Sequence, residues 1–141
     1  MNTGKVVAGG LAAGLVINVV ESVMNMAVLA RPAEAMLEAL GLPPVSGPAI
    51  AGFVIMGFAI GLAIVWTYAA IRPRFGPGPA TALKAGLAVW VMFYLFAGVA
   101  NWLMGIVSTR FTFLILGYSL VMMLAAGYVG GMVYKEEGTA V

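Results

Sequence analysis

Four long apolar stretches constrain this chain more than anything else in it, running roughly over residues 6–30, 50–71, 82–107 and 111–134. Each is long enough to cross about 30 Å of hydrocarbon as a helix, which takes about 20 residues. All four contain glycine and none contains proline. They lack the alternation of apolar and polar residues, in segments half as long, that marks an outer-membrane barrel. In lipid a backbone must satisfy its own hydrogen bonds, and a helix does so within one segment. The fold class this predicts is an all-α integral membrane protein, a bundle of four transmembrane helices in a single domain over residues 1–141.

Composition agrees with that reading. Hydrophobic residues make up 63% of the 141 residues and charged residues 9%, against about 25% charged in a soluble domain. A chain this small has a large surface for its volume, and water would demand far more polar surface than it offers. A soluble enzyme, a disordered tail and a nucleic-acid-binding module are excluded, and a net charge of +2 carries no nucleic-acid signal. Cysteine and histidine are both absent, which removes disulfides, thiolate nucleophiles and imidazole-bound metals. No metal and no cofactor is expected. The first stretch ends in Val28-Leu29-Ala30, which looks like a signal-peptide cleavage site. Its apolar run exceeds the usual length of about 7–15 residues and holds Asn18, Glu21 and Asn25, so a retained helix is predicted.

Loop cations give the orientation. Lys5, Arg72, Arg74, Lys84 and Lys135 fall on one side of a four-span bundle, and Arg31 and Arg110 on the other. Five against two places both termini in the cytoplasm of a bacterial inner membrane by the positive-inside rule. Trp66, Tyr68 and Tyr134 are then expected in the inner aromatic belt, and Trp102, Phe111 and Phe113 in the outer one. The first outer loop predicts a short interfacial helix over residues 32–40, with Pro32 at its first position and Gly41 as its stop. Met36, Leu37 and Leu40 form its apolar side, with Glu34 and Glu38 opposite.

Glu21 is the ionisable residue deep in an apolar stretch, while the other glutamates, Glu34, Glu38, Glu136 and Glu137, lie outside the stretches. A carboxylate at that depth costs about 2.5–3.5 kcal/mol on insertion scales, which makes it a functional candidate by default. Asn18, Glu21, Ser22 and Asn25 are spaced three and four apart and share one helical face. Counting depth along the other helices brings Asn101, Tyr118 and Ser119 into the same outer half. The predicted site is therefore Glu21, Asn18, Ser22, Asn25, Asn101, Tyr118 and Ser119. Its bland alternative is a hydrogen-bonded tie between helices, since polar side chains stabilise membrane helix pairs by about 0.6 kcal/mol each.

Other features read as packing. Gly10 and Gly14, Gly57 and Gly61, and Gly127 and Gly131 are spaced four apart, which lets helix backbones approach closely. The ten methionines include Met24 with Met26 and Met122 with Met123, spacings that point thioethers apart on a helix and suit apolar filling better than copper(I) binding. Trp90 and Tyr94, one turn apart, could line a cavity. A faint repeat relates 19–24 to 99–104 and 53–58 to 113–118, compatible with a duplicated hairpin.

Two resemblances bear on function. Gly9-Gly10-Leu11-Ala12-Ala13 followed by Val20-Glu21 resembles the first helix of the small multidrug resistance exporters. That resemblance implies a glutamate alternating between protons and a cationic substrate, in a pore made by two chains. It is confined to Glu21 and its helix, because the second helix lacks that family's polar and aromatic pattern. The whole-chain layout, with Leu40-Gly41-Leu42 closing the surface segment and Gly117-Tyr118 and Gly127-Tyr128 in the last helix, resembles small four-span bacterial membrane proteins of unknown function. The expected function is non-enzymatic: a small inner-membrane protein whose Glu21-centred cluster serves bundle stability or docking to another membrane component. The alternative is a proton-coupled small-molecule transporter with Glu21 as its proton and substrate site. Expected partners are the lipid bilayer and either a second copy or another membrane protein, with no nucleic acid.

Overall fold

The structure, a computed structural model, describes residues 1–135, and within them every regular element is helical. Four helices are long and apolar enough to cross a membrane: α1 Thr3–Ala39, α2 Gly47–Phe75, α3 Pro79–Leu103 and α4 Thr109–Val133. The Asn2 amide donates to the Tyr134 hydroxyl at 3.3 Å, so both ends of the described chain lie on one face. That terminal face also carries the 76–78 turn, and the loop face carries the other two turns. Glu136 and Glu137 lie outside the described residues.

Local chemistry sets the helix ends. Asn2, Ser46 and Ser108 cap α1, α2 and α4, each side-chain oxygen accepting a first-turn amide. Pro48 stands in the first turn of α2, where a missing N–H is no loss. Two helices stop in the same way. Gly41 (φ 66°) donates to the Glu38 carbonyl and Leu42 to that of Leu37. Gly105 (φ 71°) donates to Trp102 and Ile106 to Asn101. Both are Schellman stops, which need a left-handed residue and so favour glycine.

Glycine brings the helices together in the half next to the terminal face. The α1–α2 seam is Gly10 and Gly14 against Gly57 and Gly61, and a Cβ on Gly61 would fall on the Gly14 nitrogen and the Gly10 carbonyl. Gly86 and Gly127 form the α3–α4 seam, where a Cβ on Gly127 would sit 2.7 Å from the Ala82 carbonyl. Gly9 and Gly130 bring α1 against α4. The four-apart glycines are packing devices as expected, and Ile17, Ile64, Val65, Met122 and Met123 fill the core between them. Toward the loop face the helices separate. Residues 47–56 of α2 are all exposed, and the last turns of α3, Phe96–Leu103, bury nothing.

Several expectations are corrected. The surface helix is not a separate element, because Ala30–Ala39 continues α1 through a π-helical turn at Asn25–Leu29. Pro32 leaves the Val28 carbonyl without its usual donor, and the widened turn falls where that bond is lost. At 37 residues α1 is roughly 55 Å long, so it extends well past the thickness of the hydrocarbon. The third span ends at Leu103 rather than 107, stopped by Gly105. Tyr68 and Tyr134 do not join an aromatic belt: both are buried, packed edge to face with ring centres 5.8 Å apart. Trp66 and Phe113 do face outward. The repeat has no counterpart in packing, since Gly57 receives Asn18 whereas its match Gly117 has open space beside it.

Candidate functional site

Glu21 stands on α1 beyond the glycine seams, where the backbones have diverged and only long side chains can bridge. Two tyrosines do so. The Tyr94 hydroxyl of α3 donates to Glu21 Oε1 at 2.9 Å, and the Tyr118 hydroxyl of α4 donates to Oε2 at 3.1 Å. From the next turn of α1, Asn25 Nδ2 donates to Oε2 at 3.3 Å and to the Glu21 carbonyl at 2.8 Å. The carboxyl thus gathers three donors from three helices, a set suited to an acceptor-only group. The site is half-buried, with Asn25 on its exposed side.

Both π-helical turns of the described chain touch this cluster. Asn25 opens one, and Tyr94 lies in the other, Val91–Leu95, after which the Phe96 amide donates to the Val91 carbonyl five residues back. A π turn inserts an extra residue and re-aims the side chains beside it, and such turns are frequent at functional sites. Here they set the directions from which an asparagine and a tyrosine reach one carboxyl.

The other predicted residues divide. Asn18 is on the same helix but serves the α1–α2 seam. Its Nδ2 donates to the Gly14 carbonyl at 2.9 Å and across to the Val54 carbonyl at 3.2 Å, in the notch left by Gly57. Ser22 is exposed, because one residue turns the helix by about 100° and carries it off the face that Glu21 presents to α3 and α4. Asn101 donates to its own helix at the Ala97 carbonyl, 2.8 Å away. Ser119 is fully buried and accepts from Trp90 Nε1 at 3.0 Å, forming a second α3–α4 tie next to the carboxyl cluster.

The residue missing from the predicted site is Tyr94. Its depth is the signal that points to it. With α3 ending at Leu103 and α4 beginning at Thr109, Tyr94 and Tyr118 each stand nine residues from the loop-face ends of their helices. That is roughly 13 Å. Asn101 is two residues from that end, and an overlong third span places it too deep.

Nothing at the cluster resembles a metal centre: among the described residues no three His, Cys, Asp or Glu side chains come together. The arrangement can hold a carboxyl between helices, and it can exchange one of its donors for a cationic or hydrogen-bonding group from the exposed side. Comparison with protein-family models, with curated proteins and with solved structures found no match.

Proposed function

We infer that this chain is a non-enzymatic protein of the bacterial inner membrane, with both termini cytoplasmic, whose Glu21 cluster braces the separated half of the bundle for docking to another membrane component. The observation that carries this reading is the occupation of both Glu21 oxygens by phenols from two other helices. A carboxyl so held ties α1, α3 and α4 where glycine packing has ended. The exposed apolar residues around it, among them Phe53, Phe93, Phe96 and Phe113, offer surface to lipid or to a partner. The five-to-two division of cations supports the orientation.

A second reading is favoured by Asn25, which leaves the cluster open on one side. In it the chain is a proton-coupled transporter in which Glu21 exchanges a proton for substrate, as the exporter resemblance implies. One pair of variants separates the two. As a brace, Glu21→Gln retains a carbonyl acceptor and unfolds within about 1 kcal/mol of the parent, whereas Glu21→Ala strands two phenols and loses about 1–3 kcal/mol. Unfolding in detergent, followed by tryptophan fluorescence, measures both. If instead Glu21→Ala unfolds like the parent, the bracing role is lost; proton-coupled flux in liposomes that Glu21→Gln abolishes would establish transport.

A further inference from the structure

The loop-face part of α3 is held differently from the rest of the bundle. From Val91 to Leu103 it buries no side chain, whereas the turns before it bury Ala82, Ala85, Gly86 and Val89. Nor does α2 cover it, since residues 47–56 of that helix are exposed throughout. Segments with few buried contacts are the ones that open locally. Phe93 and Phe96, 53% and 68% exposed, show how little touches this one.

Hydrogen bonds fix the segment at three points. At its base the Trp90 indole donates to Ser119 of α4 at 3.0 Å, and near its far end Trp102 Nε1 donates to Thr109 at the start of α4, also at 3.0 Å. Both pins therefore lie on α4. Between them the Tyr94 hydroxyl reaches across to Glu21 of α1. Asn101 bonds to its own helix, so among the described residues the Tyr94 phenol makes the one side-chain hydrogen bond from this segment to α1 or α2. A segment pinned along one neighbour can pivot about the line of its pins. The π-helical turn Val91–Leu95 stands at the base of the pivot, and helices kink at such turns.

We propose that Val91–Leu103 is a movable strap, latched by Tyr94, whose release opens Glu21 to the bilayer between α2 and α3. In the latched state the phenol occupies Oε1. On release Oε1 loses its donor while Tyr118 and Asn25 keep Oε2, so the carboxyl stays in place with one oxygen uncovered. The group that this oxygen receives is a hydrogen-bond donor on the docking component. Tyr118 cannot act as a latch, because its helix is anchored beside it by the buried Ser119, Met122 and Met123. The strap rests on the reading of the Glu21 cluster as a brace, which the unfolding of Glu21→Ala tests separately.

The test is the rate at which dicyclohexylcarbodiimide, an apolar reagent that enters from lipid, labels Glu21 in the full chain in liposomes, located by peptide mass spectrometry. Tyr94→Phe should label faster than the parent by about fivefold or more, as the loss of one hydrogen bond shifts an opening equilibrium. Tyr118→Phe also removes one phenol from the carboxyl but leaves the strap latched, and should stay within about twofold of the parent. Equal acceleration in both variants would report the lost bond rather than movement and overturn the strap, as would no acceleration in Tyr94→Phe. Hydrogen exchange of the parent needs no variant to fold. Amides of 96–103 should exchange about tenfold faster than those of 112–119 at similar depth on α4. Equal protection of the two segments would also overturn the proposal.

Discussion

At the scale of single residues, Glu21 shows how a membrane interior handles a carboxyl. Hydrocarbon offers no water, so the group must find donors within the protein. Tyr94 and Tyr118 each take one oxygen. They therefore support each other through a shared partner rather than by direct contact. Tyr94→Phe and Tyr118→Phe should each cost about 0.6 kcal/mol, the average for such bonds in membrane helices, and at most about 1.7. The double variant leaves Asn25 as the remaining donor and should cost more than the sum, with a coupling of about 0.5 kcal/mol or more in a double-mutant cycle. Unfolding free energies of the four proteins would measure it. Strict additivity with small single effects would mean that the carboxyl does not hold the helices together.

At the scale of elements, the helices divide into a part packed by glycine and a part bridged by side chains. The distinction is testable because glycines of both kinds occur. Gly61 faces the backbone of Gly14 and Gly10, with no flexible side chain there to yield. Gly61→Ala should therefore push α1 from α2 and cost about 1–3 kcal/mol, as overpacking does. On α4, a methyl added at Gly117 would meet nothing within 4 Å. Gly117→Ala should be neutral or stabilise by up to about 1 kcal/mol, the helical advantage of alanine. Thermal unfolding of the pair in one detergent decides it, and equal losses at both positions would remove the seam as the source of stability in the terminal half. The α1–α2 seam and Gly127 were legible as four-residue spacings, while Gly9, Gly86 and Gly130 were not. Which pairs of helices they joined was not, because spacing names a face and not its partner.

For the molecule as a whole, a bundle closed at one end and parted at the other follows from where glycines that face a neighbouring backbone stop. Orientation is the matching prediction at this scale. The sequence has no cysteine, so single cysteines report without background. Ser46→Cys and Ser108→Cys, on the loop face, should react with an impermeant maleimide added to intact cells. Gly76→Cys, on the terminal face, should react only after the inner membrane is opened. The opposite pattern would place the termini outside.

The sequence alone determined the four spans, the all-helical class and the depth of Glu21. Hydrophobic length is a one-dimensional property, and lipid leaves a spanning segment few alternatives to a helix. It also determined the stop at Gly41, since a left-handed residue at a helix end is a local demand, whereas the stop at Gly105 was passed over within an apolar run. Tertiary structure decided what Glu21 meets. Asn18, Ser22 and Asn25 all lie within about 100° of Glu21 around one helix, yet one grips α2, one faces outward and one reaches the carboxyl. Tyr68 and Tyr134 look like belt residues by position, but they turn inward to meet each other. In both cases the deciding quantity is the direction from which a neighbouring helix arrives, and that is fixed by packing across the bundle rather than by any residue's place along the chain.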